Sequence, residues 1–285
     1  MHFLLLFLLF CDIIEVGKLW KGSVTVKRSF KTQNYSLTYS QNHVDTHVLW
    51  ENHCHALYEA IAVLYGDVNI TLEGRNYRLT ENTVIIIPPM CYHTIAANKS
   101  GEYIRMTAFF NKTAIPPILL EEFVRRDAAP VIFDLPWRDD LKRIFATEPS
   151  PFYAPLIESM MTQLFYKRIE APVSTDAEDE ANRFIMQIIS YIDEHLLDRI
   201  ALDDLAKHTA RSKSFVCHLF EEKMGIPPRQ YILQKRMAYA EMLISEGESA
   251  TALAASMGYK SYASFYRMYQ KHCGQNPLKS KPKKA

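Results

Sequence analysis

The sequence predicts a multidomain α+β protein in which a β-rich N-terminal domain precedes a helical segment and an all-α C-terminal domain. Three observations support this architecture. Seven residues near the C-terminus recur at one fixed spacing, which is typical of a supersecondary unit used twice. Residues 35–115 consist of short β-branched and aromatic runs, whereas residues 116–170 have the apolar periodicity of helices. A length of 285 residues is enough for two or three such domains.

The β-rich region contains four clear candidate strands, separated by turn residues. They are residues 60–65, 68–72, 77–79 and 84–87. A turn at 73–76 contains glycine, and a proline pair follows the last strand. Strands this short and closely spaced are typical of a barrel or a sandwich. Residues 1–34 precede this domain and have no clear role.

An apolar run at residues 3–10 opens the chain. It resembles a signal-peptide core, but no basic residue precedes it, no small residues lead to Cys11, and it is too short to span a bilayer. We therefore expect a buried or mis-started segment rather than an export signal. The five cysteines are widely spaced and include no C-x-x-C pair, which indicates reduced thiols in a cytoplasm and argues against disulfides or a zinc finger.

The helical segment carries three candidate amphipathic helices, at residues 118–124, 141–145 and 156–169. An acidic, polar stretch at 171–181 then indicates an interdomain linker. Charge divides at the same place. Residues 182–285 hold 16 Lys+Arg and 10 Asp+Glu, a net charge of +6, whereas residues 1–181 hold 17 and 22, a net of −5. A basic module at one end suits a polyanionic partner, although a solvated surface would give the same balance.

The recurring residues define a unit of two helices joined by a short turn. Ala206, Ser212, Val216, Leu219, Phe220, Gly225 and Pro228 recur 49 positions later as Ala255, Ser261, Phe265, Met268, Tyr269, Gly274 and Pro277. In each unit the serine can cap the second helix, the apolar residues form its buried face, and a glycine ends it. The first unit is predicted at 202–209 and 213–223, and the second at 250–257 and 261–272. Each is a helix-turn-helix, and a tandem pair is mainly a DNA-binding arrangement.

A single helix at residues 228–246 connects the two units, with Tyr231, Met237, Ala240 and Leu243 on its predicted buried face. At 1.5 Å per residue this helix is about 27 Å long. It can therefore hold two recognition helices roughly one turn of DNA apart, which is about 34 Å.

The C-terminal 100 residues resemble the AraC/XylS family of bacterial transcription regulators. The resemblance rests on the run Leu202–Ala206, on Ser212, Leu219-Phe220, Gly225-Ile226-Pro227-Pro228, Tyr231, Arg236 and Ala240, and then on Ala254-Ala255, Gly258-Tyr259, Ser264 to Arg267, Gly274 and Pro277. It implies that the residues facing the DNA groove are Ser214, Cys217, His218, Tyr262, Ala263, Tyr266 and Arg267. Arg267 is the strongest candidate for a base contact, because its guanidinium suits guanine. Lys260, Lys271 and the lysine-rich tail suit phosphate contacts.

Two departures from the family pattern fall in the first unit. Its turn has Ala210-Arg211 where a glycine and an aromatic residue are common, and Ala201 replaces the usual capping Ser or Thr. Loss of the cap should cost about 1 kcal/mol, partly offset by Asp203 and Asp204 at the positive end of the helix.

A second pattern, in the β-rich domain, resembles the cupin motifs. His53, His55, Glu59 and Gly66 fit the first motif, and His93 fits the second, in which Asn82 and Met90 replace glycines. Three histidines and a glutamate can hold a metal. Because methionine suits a left-handed turn poorly, we expect instead a metal-free pocket in which His53, His55, Glu59 and His93 bind an organic effector. Trp50, Tyr58 and Tyr92 can stack on a sugar ring or belong to the core.

Together the two resemblances imply a cytoplasmic, non-enzymatic transcription regulator without a cofactor. A cupin-like effector-binding domain would control a double helix-turn-helix domain on promoter DNA, with residues 116–170 as the dimerisation segment of a homodimer. Family analogy further implies a small-molecule effector, with carbohydrate the favoured class, and contact with RNA polymerase, but no membrane. One alternative is a cupin metalloenzyme, an isomerase or dioxygenase, fused to a DNA-binding module. A second is a constitutive DNA-binding protein with a vestigial barrel, which would bind no effector.

Overall fold

The computed structural model describes residues 24–46, 52–126, 132–135, 137–147, 150, 152–172, 180–274 and 276–277. The apolar run at 3–10, Cys11, Trp50 and the lysine-rich tail lie outside these ranges. Within them, no helix has both the length and the hydropathy required to cross a bilayer.

The described residues of the N-terminal domain form two antiparallel sheets. Its strands are β1 Val24–Lys31, β2 Ser36–Val44, β3 Tyr58–Tyr65, β4 Asp67–Leu72, β5 Arg75–Thr80, β6 Thr83–Ile87, β7 His93–Ala97, β8 Gly101–Phe110 and β9 Ile132–Asp134. Six form a sheet in the order β1-β2-β8-β3-β6-β9, and three form a second sheet in the order β5-β4-β7. The predicted β-rich domain is therefore confirmed. Strand β1, which falls in the segment without an assigned role, pairs with β2, and the short unpredicted β9 pairs with β6.

Strand β3 lies at the centre of this domain and is buried on both faces along all but its last residue. Because side chains alternate along a strand, Ala60 and Ala62 contribute to the core shared with the helices, whereas Ile61 and Val63 pack against the second sheet. Glu59 has the same parity as Ile61. The alternation therefore directs the Glu59 carboxylate toward the second sheet, where β7 begins.

Three helices cover the outer face of the larger sheet. They are α1 Pro117–Arg125, α2 Arg138–Ala146 and α3 Tyr153–Glu170. Each contains one of the three predicted amphipathic runs. Their buried side chains, including Phe123 and Phe165, join the core on that face of β3. Arg168 of α3 is also fully buried, with its guanidinium 4.3 Å from the centre of the Phe123 ring.

The C-terminal domain is all-helical. Its helices are α4 Glu180–Glu194, α5 Leu202–His208, α6 Lys213–Met224, α7 Pro228–Ser245, α8 Ala250–Ser256 and α9 Tyr262–Cys273. The predicted tandem helix-turn-helix is confirmed, with helix ends within two residues of those expected. Each unit has its own apolar core, and α7 contributes Tyr231 to the first and Met237 and Ala240 to the second. Leu243, expected on the buried face of α7, is only partly buried, and the neighbouring Ile244 is buried instead.

Candidate functional site

Four side chains from two neighbouring segments converge at one end of the smaller sheet. His53 and His55 precede β3, Glu59 lies in β3, and His93 begins β7. The backbone of His53 pairs with that of His93 through reciprocal N–H to carbonyl hydrogen bonds of 3.2 and 2.9 Å. One ligand atom from each of the four residues lies within 4.8 Å of the other three. The sequence motif thus identified residues that the fold does bring together.

The imidazole rings of this cluster are oriented by backbone carbonyls. His55 Nδ1 lies 2.8 Å from the carbonyl oxygen of Leu57, and His93 Nδ1 lies 2.9 Å from that of Cys91. A carbonyl can only accept, so each Nδ1 carries a proton that it donates. Both Nε2 atoms then point at Glu59 Oε2, at 3.0 Å each. In neutral rings, these Nε2 atoms present lone pairs toward the carboxylate, an arrangement that requires a shared proton or a cation.

Burial and pairing act in opposite directions on the charges of this cluster. Burial raises the pKa of the Glu59 carboxyl, but hydrogen bonds from His55 and His93 outweigh burial and hold that pKa well below its usual range. Burial likewise lowers the pKa of His93, yet the contact with Glu59 raises it overall. Glu59 is 5% exposed and His93 is 2% exposed. The contact between the two groups therefore favours an ionised Glu59 and a protonated His93.

The cluster also fits a transition-metal ion. Three imidazoles and one carboxylate suit several divalent metals, and carbonyls that fix Nδ1–H are the usual outer contacts of metal-bound histidines. Asn82 and Met90, which replace the motif glycines, both adopt left-handed backbone, with φ of 68° and 63°. The Met90 side chain packs against the core of the first helix-turn-helix unit. Met90 was expected to disfavour a metal site because methionine suits a left-handed turn poorly. Its backbone nevertheless adopts that conformation, so this objection to a metal site does not hold.

The aromatic side chains considered for sugar stacking belong to cores. Tyr58 is 1% exposed, and its ring stacks on Phe110 at 5.3 Å. Tyr92 is 2% exposed and packs edge-on against Tyr231 of α7, at 5.4 Å. Trp50 lies outside the described residues. For Tyr58 and Tyr92 the core interpretation therefore holds.

The second site is the outer face of the two recognition helices, α6 and α9. Exposed positions are Ser214, His218, Ala263 and Arg267, and half-buried positions are Cys217, Tyr262 and Tyr266. Between them, Val216, Phe220, Phe265 and Tyr269 are fully buried. The helical phase that the sequence predicted therefore agrees with the structure, except that the Tyr262 hydroxyl is enclosed with no hydrogen-bond partner among the described residues.

Sequence reasoning missed a charged cluster between the two domains. Glu73, in the β4–β5 turn, lies 3.0 Å from Lys235 of α7, and Lys235 lies 3.0 Å from Asp193 of α4. Lys235 follows Tyr231 by four residues, on the predicted buried face of the connecting helix. A lysine on such a face is the signal that could have indicated a buried ion pair.

Both regions match family models. Residues 34–165 match the AraC-like ligand binding domain, and residues 205–281 match a helix-turn-helix domain. The chain belongs to the AraC family of transcription regulators. As in that family, a ligand-binding domain precedes the DNA-binding domain, and the function is regulation of transcription on DNA.

Relatives of this AraC-family regulator include proteins that align over most of its length. The uncharacterized HTH-type transcriptional regulator YobQ of Bacillus subtilis is 21% identical over 80% of this chain and 88% of its own. The arabinose operon regulatory protein of Escherichia coli is 23% identical over 72% of this chain and 73% of its own. Among solved structures, ToxT of Vibrio cholerae has a TM-score of 0.40 at 9% identity, covering 87% of this chain and 97% of that one.

Proposed function

We propose that this regulator binds a polar small-molecule effector at His53, His55, Glu59 and His93, and that the bound effector changes the occupancy of promoter DNA by α6 and α9. The observation that carries the proposal is the convergence of four donor atoms within 4.8 Å. Atoms this close can all contact a single atom placed among them. An effector would thus present one oxygen to the cluster, with the rest of the molecule outside it.

Carbohydrates and related hydroxyl-rich metabolites are the proposed effector class. A hydroxyl both donates and accepts, so it can donate to Glu59 Oε2 and accept from a protonated histidine Nε2 at once. The arabinose operon regulatory protein among the relatives points to the same class. The protein would act in the cytoplasm, without enzymatic turnover, as a DNA-bound homodimer that can contact RNA polymerase.

The proposed homodimer would use the outer face of α1 and α3. These helices carry large apolar side chains that are exposed in the single chain, with Ile118 at 91%, Phe152 beside α3 at 77% and Tyr166 at 50%. Large apolar side chains left exposed together on one face are a usual sign of a protein interface. Sedimentation analysis of Ile118→Asp should show a shift to monomer, and an unchanged dimer would exclude this face.

The second candidate function has a metal at the pocket, as in a metal-dependent sensor or a cupin metalloenzyme fused to a DNA-binding module. The same donor set favours it. His53, His55, Glu59 and His93 would hold the ion, which would supply Lewis acidity toward an oxygen of a bound molecule.

One set of measurements separates the two candidates. Elemental analysis of the purified protein reports metal, and thermal shift against a panel of sugars and sugar acids, with and without EDTA, reports the effector. The effector proposal predicts little metal and a ligand-induced shift that survives EDTA. It also predicts that His55→Ala abolishes the shift but leaves DNA binding intact, whereas His43→Ala, an exposed histidine of β2, changes neither. Stoichiometric metal, with a response lost in EDTA, would support the metal site instead.

A further inference from the structure

The carboxylate of Glu73, in the N-terminal domain, contacts two residues of the DNA-binding domain. Glu73 Oε2 accepts a 2.7 Å hydrogen bond from the Tyr231 hydroxyl, and Glu73 Oε1 lies 3.0 Å from Lys235 Nζ. Tyr231 and Lys235 are one helical turn apart on α7, so both reach the same carboxylate. The contact therefore joins the β4–β5 turn to the helix that connects the two recognition helices.

Lys235 is buried and contacts a second carboxylate besides Glu73. Its side chain is 3% exposed, and Asp193 Oδ1 lies 3.0 Å from Nζ. Burial lowers the pKa of the Lys235 amine, but the charges of Glu73 and then Asp193 raise it overall, so the amine is an ammonium. A buried ammonium becomes costly when one of its carboxylates is removed.

The N-terminal domain holds Glu73 in a fixed position. Its backbone N–H donates to the Tyr92 carbonyl at 2.8 Å, and the Tyr92 N–H donates to Glu73 Oε1 at 2.9 Å. Glu73 also has a left-handed backbone, with φ of 46°, which is uncommon for a residue other than glycine. One hydrogen bond thus ties the Glu73 backbone to Tyr92 and a second ties its carboxylate there, in a backbone conformation that the surrounding structure must impose.

Tyr92 joins this contact to the pocket. It directly precedes His93, which contacts Glu59, and its ring packs against Tyr231. A shift of the His93 segment on occupancy of the pocket would therefore reach α7 through Tyr92 and Glu73.

The contacts across the interface fall on the first helix-turn-helix unit. Asn52 Nδ2 donates to the carbonyl of Met224, at the end of α6, at 3.4 Å. Tyr92, Cys54 and Met90 pack with the apolar core of that unit, whereas the described members of the second unit's core all come from the C-terminal domain. Among the described residues, these contacts of the N-terminal domain thus fall on α6 and α7.

Building on the proposed function, we propose that Glu73 is a latch that couples the effector pocket to the first recognition helix. With the latch formed, the orientation of α6 depends on the pocket through Tyr92. Without it, the two domains respond to their ligands independently. Coupling between two sites is reciprocal in binding affinity. DNA bound at α6 must therefore change the affinity of the pocket for its effector by the same factor as the effector changes the affinity for DNA.

Hydrogen exchange on the full-length protein tests the latch without knowledge of the effector. The probe is a DNA duplex selected from a random library by the wild-type protein. Exchange is followed in peptides from α6, α9, residues 53–59 and residues 90–95. The variants are Glu73→Gln, which removes the charge, and Tyr231→Phe, which removes only the hydroxyl. The control is Asp67→Asn, at the other end of β4, where the carboxylate pairs with Arg78 inside the same domain.

In the wild type, DNA should slow exchange in α6 and α9 and change exchange at least threefold in the two pocket peptides. Glu73→Gln and Tyr231→Phe should keep the protection of α6 and α9 but lose the pocket response, whereas Asp67→Asn should keep both. The latch proposal is wrong if DNA does not change exchange in the wild-type pocket peptides. It is also wrong if Glu73→Gln and Tyr231→Phe both show the same change in these peptides as the wild type. Absence of protection in α6 and α9 of the wild type would refute the proposed binding of DNA by these two helices, and the latch with it.

Discussion

The hydroxyl oxygens of Ser212 and Ser261, which lie 49 residues apart in the chain, accept equivalent hydrogen bonds at the start of the two recognition helices. Ser212 Oγ accepts from the N–H of Phe215 at 3.2 Å, and Ser261 Oγ accepts from that of Ser264 at 3.3 Å. Both helices then end at a glycine with left-handed backbone. The internal repeat in the sequence is therefore a repeat of local hydrogen bonding as well as of buried side chains.

Removal of either cap should destabilise the DNA-binding domain by a similar amount. Ser212→Ala and Ser261→Ala should each lower the free energy of unfolding by about 1 kcal/mol, because each leaves a first-turn N–H without its side-chain acceptor. Urea unfolding of residues 180–285 measures both. The two serines lie in separate units, so the double variant should show the sum within about 0.5 kcal/mol. A neutral Ser212→Ala would mean that the hydrogen bond contributes nothing.

The turn of the first helix-turn-helix unit has a strained backbone at an alanine, whereas the turn of the second unit has a glycine there. Ala210 has a φ of 51°, and Gly258, at the same place in the second turn, has a φ of 76°. The N–H of Arg211 donates to the Ala206 carbonyl as that of Tyr259 donates to the Ala254 carbonyl, so ahead of the capping serines the two units match at an offset of 48 residues rather than 49, and the second turn is one residue longer. The left-handed region disfavours a side chain with Cβ, so Ala210→Gly should stabilise the domain by about 1 kcal/mol. Thermal unfolding should show a higher Tm. Ala252→Gly, in the exposed face of α8, is the matched control and should lower Tm, since glycine weakens a helix interior.

Helix α5 lacks a side-chain cap at its first position, and a hydrogen bond to Asp204 partly replaces that cap. Ala201 offers no side-chain oxygen, but Asp204 Oδ2 accepts a hydrogen bond from the Ala201 N–H at 2.8 Å. The sequence indicated the missing cap and the acidic first turn. It did not indicate the hydrogen bond from the Ala201 N–H to Asp204, which depends on the local backbone geometry.

Arg168 is the buried charge that supports the proposed dimerisation helices. Its guanidinium donates to the carbonyl of Arg126 at 2.6 Å and to that of Phe123 at 3.4 Å, where α1 ends. Arg168→Met should destabilise the N-terminal domain by about 3 kcal/mol, since these carbonyls lose charged donors inside the core. Chemical unfolding followed by tryptophan fluorescence measures this. Lys167→Ala, which removes an exposed ion pair with Glu170, should cost at most about 0.5 kcal/mol.

The repeat and the neighbouring positions of His53 and His55 could be predicted because their signals are local, whereas Glu59 and His93 followed from the resemblance to the cupin motifs. Helix caps, glycine stops and apolar spacing fix α6 and α9 to within two residues, and an H-x-H motif before a strand places His53 and His55 side by side. The contact between Glu73 and Lys235 could not be predicted, because it joins residues far apart in the chain across two domains. Strand β9 was missed for a similar reason, since its three residues become a strand only by pairing with β6.

The recognition helix α9 offers the sharpest test of how this protein recognises DNA, because two positions only two residues apart have opposite surroundings. Arg267 is exposed, whereas Phe265 is completely buried. Arg267→Ala should reduce discrimination between the selected site and altered sites by about 1–3 kcal/mol, without a change in Tm, because a guanidinium can bond to both guanine acceptors at once. Fluorescence anisotropy on matched duplexes measures this discrimination.

Two controls belong to that experiment. Phe265→Ala should unfold the domain more easily, by about 3–5 kcal/mol, because it opens a cavity in the core of the second unit. Lys271→Ala, an exposed residue in the last turn of α9, should weaken binding to all duplexes equally and reduce the salt dependence, as expected for a phosphate contact. If Arg267→Ala behaved like Lys271→Ala, the guanidinium would contact the backbone rather than a base. If it behaved like Phe265→Ala, the outer face of α9 would have been assigned wrongly.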